Sequence, residues 1–396
     1  MSCARWIQNR LRDGNLSVRF HRLRRDNFSD MACPMKKTIL FLSNHFITLF
    51  AFRKELILRL VEDGHQVYIC TPRDERNVAF TNMGCQIIET EVQRHGINPI
   101  HDGMLMLKYL QIMRRVKPDI IFSYTVKPNI YGCMASKMLG IKQVCNITGT
   151  GVTFLSETLT SKIVRILYRM SVKCAHLILF QNIGDRDYFV QHHLVANCNY
   201  ELIPGSGVNL AHFQIVEMPP DDEVKFIFVG RIMQLKGIDQ YLTCAKVVRQ
   251  RNPNTRFYVA GFCEGEYEAK LEDYQREGWI NYVGFQSDIR DWIERCHCVV
   301  LPSMGGEGVP NALLEAAAMG RPCIASRVPG SIDVVENMVT GYLFNVGDID
   351  GLITSVYDFI QTSFEIKRKM GEAGRARVET HFDRQIIIER YLREIQ

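Results

Sequence analysis

Three groups of residues in this 396-residue chain pair side chains with chemistry to glycine-rich backbone. The richest is Pro302-Ser303-Met304-Gly305-Gly306-Glu307-Gly308-Val309-Pro310-Asn311, set between the apolar run Val299–Leu301 and a helical stretch over Ala312–Met319. Gly305, Gly306 and Gly308 let backbone N–H groups approach a ligand, Pro310 suits a first helical turn, and the amides of a helix start attract phosphate. Glu307 and Glu315 lie eight positions apart. Phosphate repels a carboxylate, so two of them beside such a loop make sense as acceptors from sugar hydroxyls. The competing reading of Glu315 is a pair on a solvated helix face, although Leu313, Leu314 and Ala316–Ala318 make that helix mostly apolar. The second group, Gly230-Arg231 with Lys236-Gly237, follows another apolar run. Loop cations are usually just solvated, but next to the first group these two would offset a diphosphate leaving group. The third, Cys296-His297-Cys298, sets zinc ligation against burial on a strand; without a CxxC or a second cluster it reads as core, and no metal is expected.

These residues need strands to carry them. From Thr38 onward short apolar runs alternate with amphipathic stretches, which means parallel strands with crossover helices, an α/β architecture. The runs are Thr38–Leu42, Gln66–Cys70, Gln86–Glu89, Asp119–Phe122, Gln143–Ile147, Leu177–Phe180 and Glu201–Ile203, then Lys225–Val229, Phe257–Ala260, Asn281–Val283, Val299–Leu301, Cys323–Ala325 and Tyr342–Phe344. Gly64, Gly84 and Gly140 sit where left-handed helix caps belong. The pattern lapses between Gly205 and Asp222, so two doubly wound sheets are expected, at 35–210 and 211–381, with the chemistry in loops at the carboxyl ends of strands facing a cleft. Glu365–Gln396 reads as helix broken at His381-Phe382-Asp383.

Composition narrows the function. The chain is 46% hydrophobic and 23% charged with net charge +5, and residues 1–30 hold seven Arg against three Asp, four of those five charges. The near-neutral remainder argues against a nucleic-acid partner. Thirteen Cys, mostly inside apolar runs, fit a reducing, cytoplasmic compartment. No 18-residue apolar stretch and no signal peptide is evident. Residues 1–34 read as a disordered or non-native extension, with the fold beginning at Met35.

The motifs together resemble the retaining glycosyltransferases of family 4. The resemblance rests on Gly230-Arg231, Lys236-Gly237, Glu307-Gly308 through Asn311-Ala312-Leu313-Leu314-Glu315-Ala316, Gly320-Arg321-Pro322 and Met370 to Asp383, in order. It implies a GT-B fold, two Rossmann-like domains across a cleft, with the carboxy-terminal helix 382–396 packed back on the first domain and no required metal or other cofactor. It further implies that Arg231 and Lys236 bind the donor diphosphate, Glu307 contacts the donor sugar and Glu315 the ribose. Gly308, Val309, Pro310 and Asn311 would cradle phosphates and sugar, and Phe285, in Val283-Gly284-Phe285, would lie at the base. Tyr124 to Gly132 and Asn146 to Gly151 look like the subgroup that extends undecaprenyl-diphosphate-linked sugars for capsule, O-antigen or protein glycans, commonly from UDP-hexoses or UDP-N-acetylhexosamines. Many relatives carry His-x-His where this chain has Ser123-Tyr124-Thr125, and a glycine pair where it has Ser43-Asn44-His45. No catalytic His is therefore assigned, and Lys127, Asn129 and Thr148 are the acceptor-side candidates.

A lipid-linked acceptor requires contact with the inner membrane surface. Lys162, Arg165, Arg169 and Lys173 recur at helical spacing beside Ile163, Ile166, Leu167 and Met170, as an interfacial helix over anionic lipid would, against the alternative of a solvated face. The expectation is peripheral association with the cytoplasmic face. Competing functions are a UDP-N-acetylglucosamine 2-epimerase type of enzyme, disfavoured by the Glu307–Glu315 spacing, a glycosyltransferase with a soluble acceptor, and a binding protein without activity. An oxidoreductase is disfavoured because no G-x-G-x-x-G follows the first strand.

Overall fold

The computed structural model describes residues 35–92, 98–149 and 158–396. Its first sheet is built from β1 (Thr38–Leu42), α1 (Phe46–Glu62), β2 (Gln66–Thr71), α2 (Val78–Asn82), β3 (Gln86–Glu89), α3 (Pro99–Val116), β4 (Ile120–Tyr124), α4 (Val126–Leu139), β5 (Lys142–Ile147), α5 (Leu159–Ser171), β6 (Leu177–Phe180), α6 (Ile183–Gln191) and β7 (Tyr200–Leu202). The seven strands are parallel in the order β3-β2-β1-β4-β5-β6-β7. β1, β4 and β6 are almost wholly apolar because helices cover both faces: α1 and α2 on one side, α3, α4 and α5 on the other.

The second sheet contains β8 (Val224–Val229), α7 (Ile238–Arg251), β9 (Thr255–Ala260), α8 (Glu268–Arg276), β10 (Asn281–Gly284), α9 (Arg290–Arg295), β11 (Cys298–Leu301), α10 (Asn311–Ala318), β12 (Cys323–Ser326), α11 (Pro329–Val334), β13 (Gly341–Phe344) and α12 (Ile349–Gln361), followed by α13 (Phe364–His381) and α14 (Arg384–Ile395). Its six parallel strands run β10-β9-β8-β11-β12-β13. Chain direction away from the centre reverses between β8 and β11, so the loops leaving those strands part and open a crevice between them.

Two of the devices that join the halves lie in the linker and at the carboxyl terminus. Residues 213–217 are fastened to the second sheet by arginines: buried Arg321 donates to the carbonyls of Val216 (3.0 Å), Glu217 (2.6 Å) and Glu294 (3.0 Å), and Arg375 to those of Phe213 (2.8 Å) and Ala318 (2.7 Å). Burial lowers Arg321 to about 10. The carboxy-terminal α14 crosses to the first sheet, where Ile387, Ile388, Tyr391 and Ile395 enter its core and Arg384 meets both oxygens of Glu55 at 2.8 Å.

Cys296, His297 and Cys298 are buried. His297 Nδ1 accepts the Lys225 N–H at 3.0 Å and Nε2 lies 3.2 Å from the Pro220 carbonyl, while burial lowers the ring to about 4. Both nitrogens are engaged by backbone, as a core histidine requires.

Candidate active site

The loops after β8 and β11 face each other at the strand-order reversal. After β8 the chain makes a short 3-10 turn, Gln234–Lys236, and then Gly237 with φ 75°. A Cβ at Gly237 would stand 1.9 Å from the Pro302 carbonyl oxygen, so only glycine lets the two loops approach this closely. Met304 N–H donates to the Leu235 carbonyl at 2.8 Å and fixes the register. Lys236 Nζ then falls 2.6 Å from Glu307 Oε2, and Ser303 Oγ donates to Glu307 Oε1 at 2.6 Å. Glu307 is thus held at both oxygens in a largely water-excluded place, where opposite charges interact strongly.

Arg231 is held by the neighbouring strand end. Ile232 N–H donates to the Phe262 carbonyl and Glu264 N–H to the Ile232 carbonyl, each at 2.9 Å, zipping the loops after β8 and β9 together. Glu264 Oε2 is thereby placed 2.8 Å from Arg231 Nη1, with both side chains partly open to solvent. Phe262 and Phe285, from the ends of β9 and β10, are exposed edge to face at 6.2 Å between ring centroids, an apolar platform for a flat ligand group.

α10 opens beside this cluster, with Pro310 as its N-cap and Asn311 as its first residue. Pro310 has no N–H to give, and Gly308 and Val309 are buried, so of the four expected cradle residues Asn311 remains half-open. One turn on, Glu315 retains some accessible surface but is packed round by protein. Burial raises its carboxyl to about 7, against Arg384, which lowers it, and with Asp288, which adds to the rise.

The acceptor-side expectations need correction. Lys127 Nζ lies 2.7 Å from Asp102 Oδ1 in a pair joining α4 to α3, with side chains 11% and 6% exposed. Asn129 is fully buried: its Oδ1 accepts from Ser123 Oγ at 2.7 Å and its Nδ2 donates to the Asn146 carbonyl at 2.9 Å. Strand-end polarity here is spent inside the domain, leaving Asn129 nothing to offer an acceptor. Thr148 is half-buried at the end of β5, and the segment Thr150–Gly151 lies outside the described residues.

On α5 the expected basic stripe is rearranged. Leu159, Ile163, Ile166 and Met170 form an exposed apolar row, flanked by exposed Lys162, Arg169 and Lys173, while Arg165 is half-buried. Ser161, Val164, Tyr168 and Ser171 face the core. α3 exposes a similar row, Ile100, Met104 and Leu107.

Comparison with known proteins decides what this architecture is. A family model for glycosyl transferases group 1 matches residues 223–362, and a glycosyl transferase 4-like model matches residues 38–182, one for each sheet. The chain is a glycosyltransferase, with a group 1 domain in its second half and a glycosyl transferase 4-like domain in its first. It is similar to the N,N'-diacetylbacillosaminyl-diphospho-undecaprenol alpha-1,3-N-acetylgalactosaminyltransferase of Campylobacter jejuni, 23% identical over 89% of this chain and 96% of that one. It is also similar to the UDP-Gal:alpha-D-GlcNAc-diphosphoundecaprenol alpha-1,3-galactosyltransferase of Escherichia coli, at 27% identity over 66% of this chain and 71% of that one. Among solved structures, Anabaena HepE in complex with UDP and glucose superposes with TM-score 0.72 at 16% identity, over 90% of this chain and 98% of that one, which establishes a shared GT-B fold.

The loops after β8, β9 and β11 thus bring together residues that the motifs singled out and others they did not. Glu264 and Phe262 carry no signal of their own, because each gains its place from the strand that lies next to it. The pairing of Ser303 with Glu307 across four positions was the one such contact open to a reading of the loop.

Proposed function

We propose that this glycosyltransferase moves a hexose or N-acetylhexosamine from a UDP-linked donor to an undecaprenyl-diphosphate-linked saccharide, with retention and without a metal ion, at the inner membrane surface. The Lys236–Glu307 pair beside the start of α10 carries this reading. A diphosphate arriving there takes over the charge of Lys236 and of Arg231, and the carboxylate of Glu307 turns to the donor sugar hydroxyls. As the bond between the sugar C1 and the diphosphate oxygen breaks, negative charge grows beside Lys236, Arg231 and the start of α10. The acceptor hydroxyl bonds to C1 on the same face, and its proton passes to the departing phosphate oxygen, releasing UDP. The exposed Phe262–Phe285 platform suits the base, and Glu315 the ribose.

The diphospho-undecaprenol acceptors of the Campylobacter jejuni and Escherichia coli relatives support the acceptor class, and the HepE complex supports UDP. No described helix is long and apolar enough to cross a membrane. The apolar row on α5 with its cationic flank supports peripheral contact with anionic lipid. The test is incubation with a panel of UDP- and GDP-sugars and a short-chain prenyl-diphosphate saccharide, with product anomeric configuration read by NMR. Transfer from a UDP-sugar with retention, insensitive to EDTA, is expected. Transfer from no UDP-sugar, or EDTA loss restored by magnesium or manganese, overturns the donor or the metal assignment respectively.

A further inference from the structure

The loop bearing Glu307 belongs to the second sheet, yet the first sheet grips it. Asn182, at the end of β6 and 1% exposed, is the N-cap of α6: its Oδ1 accepts the Asp185 N–H at 2.7 Å. Its Nδ2 donates to Asp185 Oδ2 at 2.7 Å and reaches across to the main-chain carbonyl of Glu307 at 3.2 Å. The next residue is clasped as closely. A Cβ at Gly308 would stand 2.6 Å from the Thr148 carbonyl oxygen and 2.8 Å from Gln181 Oε1, and one at Gly149 would stand 2.8 Å from the Gly306 oxygen and from the Gly308 nitrogen. The ends of β5 and β6 therefore hold the Glu307–Gly308 peptide from one side while Lys236 and Ser303 hold the carboxylate from the other. Moving the carbonyl moves the carboxylate, since only a short side chain separates the two anchor points.

We propose that Asn182 is a positioning residue that sets Glu307 against Lys236 from the acceptor-side domain, so that the donor site is complete only when the two domains touch. The inference rests on the reading of Glu307 and Lys236 as donor-site groups. Asn182→Ser and Asn182→Thr test it, because both keep an oxygen to cap α6 while their hydroxyls, one bond shorter than the amide nitrogen, fall short of the Glu307 carbonyl. Both should lower kcat about fivefold to tenfold, the effect of one hydrogen bond felt in the transition state, with donor KM near the parent value and a modest fall in melting temperature because Asp185 Oδ2 also loses its donor. In a Glu307→Gln background the Asn182→Ser change should add less than about twofold, because its effect runs through that carboxylate. Should either capping variant lose its melting transition, Gly149→Ala presses on the same peptide without touching the cap and should reproduce the kcat loss. Parent kcat in the folded variants, or a loss that multiplies fully onto Glu307→Gln, overturns the proposal. If Glu307→Gln alone turns over at the parent rate, the donor-site reading itself fails and takes the proposal with it; if Glu307→Gln is impaired and the Asn182 variants are not, the positioning role alone is lost.

Discussion

Each sheet carries a lysine–carboxylate pair near the carboxyl ends of its strands, and the two pairs do different work. Lys127–Asp102 and Lys236–Glu307 have nearly the same separation, 2.7 and 2.6 Å, and neither is well exposed. The first joins two helices of one domain, with Asn129 buried beneath it and tied to Ser123 and Asn146. The second joins two loops that part at a reversal of strand order, with a helix start alongside. An ion pair between helices holds a fold together; an ion pair between diverging loops offers a ligand two charges to rearrange. Residue type and distance do not separate these cases, but the elements bridged do.

The sharpest way to break this comparison is to cut each pair. Lys127→Ala leaves Asp102 buried without its cation and should cost about 3–5 kcal/mol of stability, visible as a lowered denaturation midpoint, with kcat of the folded fraction little changed. Lys236→Ala should lower the midpoint less, because Glu307 keeps the Ser303 hydroxyl and its loop can open to water, and should raise the barrier by about 3–4 kcal/mol, a hundredfold or more in kcat, with a smaller change in donor KM. A Lys127→Ala protein that melts normally but no longer uses acceptor would return that lysine to the acceptor site. A Lys236→Ala protein with parent kcat and a raised KM would make the lysine a uniform binder of the donor.

What the sequence made legible follows the same division. Parallel strands covered on both faces read as apolar runs, so all thirteen were found to within a few residues of their observed ends. Glu307, Arg231 and Lys236 were visible as candidates because glycines mark their loops, and Glu315 because it interrupts a mostly apolar helix. Glu264, Phe262 and Asn182 were not, because their partners come from other strand ends and only strand order brings them together. Asn129 turns inward, which its sequence does not reveal, because a polar residue at a strand end looks alike whether it turns inward or outward. On α5, successive residues rotate by about 100°, which sets Arg165 at the edge of the basic stripe next to the buried face of Ser161 and Val164 and leaves the other three cations free to flank the apolar row.

That row distinguishes the outer face of the first domain from the inner edge compared above. Changing Lys162, Arg169 and Lys173 to Gln should remove about 3 kcal/mol of adsorption to anionic vesicles, at about 1 kcal/mol per cation. Changing Leu159, Ile163, Ile166 and Met170 to Ser should weaken binding to neutral vesicles as well. Donor hydrolysis and transfer to a short-chain soluble acceptor should survive both sets of changes, while transfer to a bilayer-embedded acceptor falls. Parent-like vesicle binding by both variants would leave α5 as an ordinary solvated helix and move the lipid contact elsewhere.

The smallest expected effect concerns the second carboxylate of the site, and it sharpens the contrast within one loop and helix. Glu307 has a cation and a hydroxyl at its oxygens, whereas burial raises Glu315 from the usual 4.5 to about 7. A raised carboxyl means that the folded protein keeps a proton that the unfolded chain gives up near its ordinary value. Ionising Glu315 therefore costs the folded state as pH climbs from about 4.5 to about 7, after which the cost is constant. Glu315→Gln escapes that cost, so its melting temperature should gain on the parent between pH 5 and pH 8 in thermal scans across that range. Donor affinity should move the other way. At pH 8 the ionised parent makes charge-assisted bonds to the ribose that the amide cannot match, a difference of about 1 kcal/mol or roughly fivefold in Kd. At pH 5.5 the parent carboxyl is itself protonated, and the two affinities should converge. Titrating UDP into both proteins at the two pH values checks this, and an affinity ratio that does not change with pH would place the ribose away from Glu315.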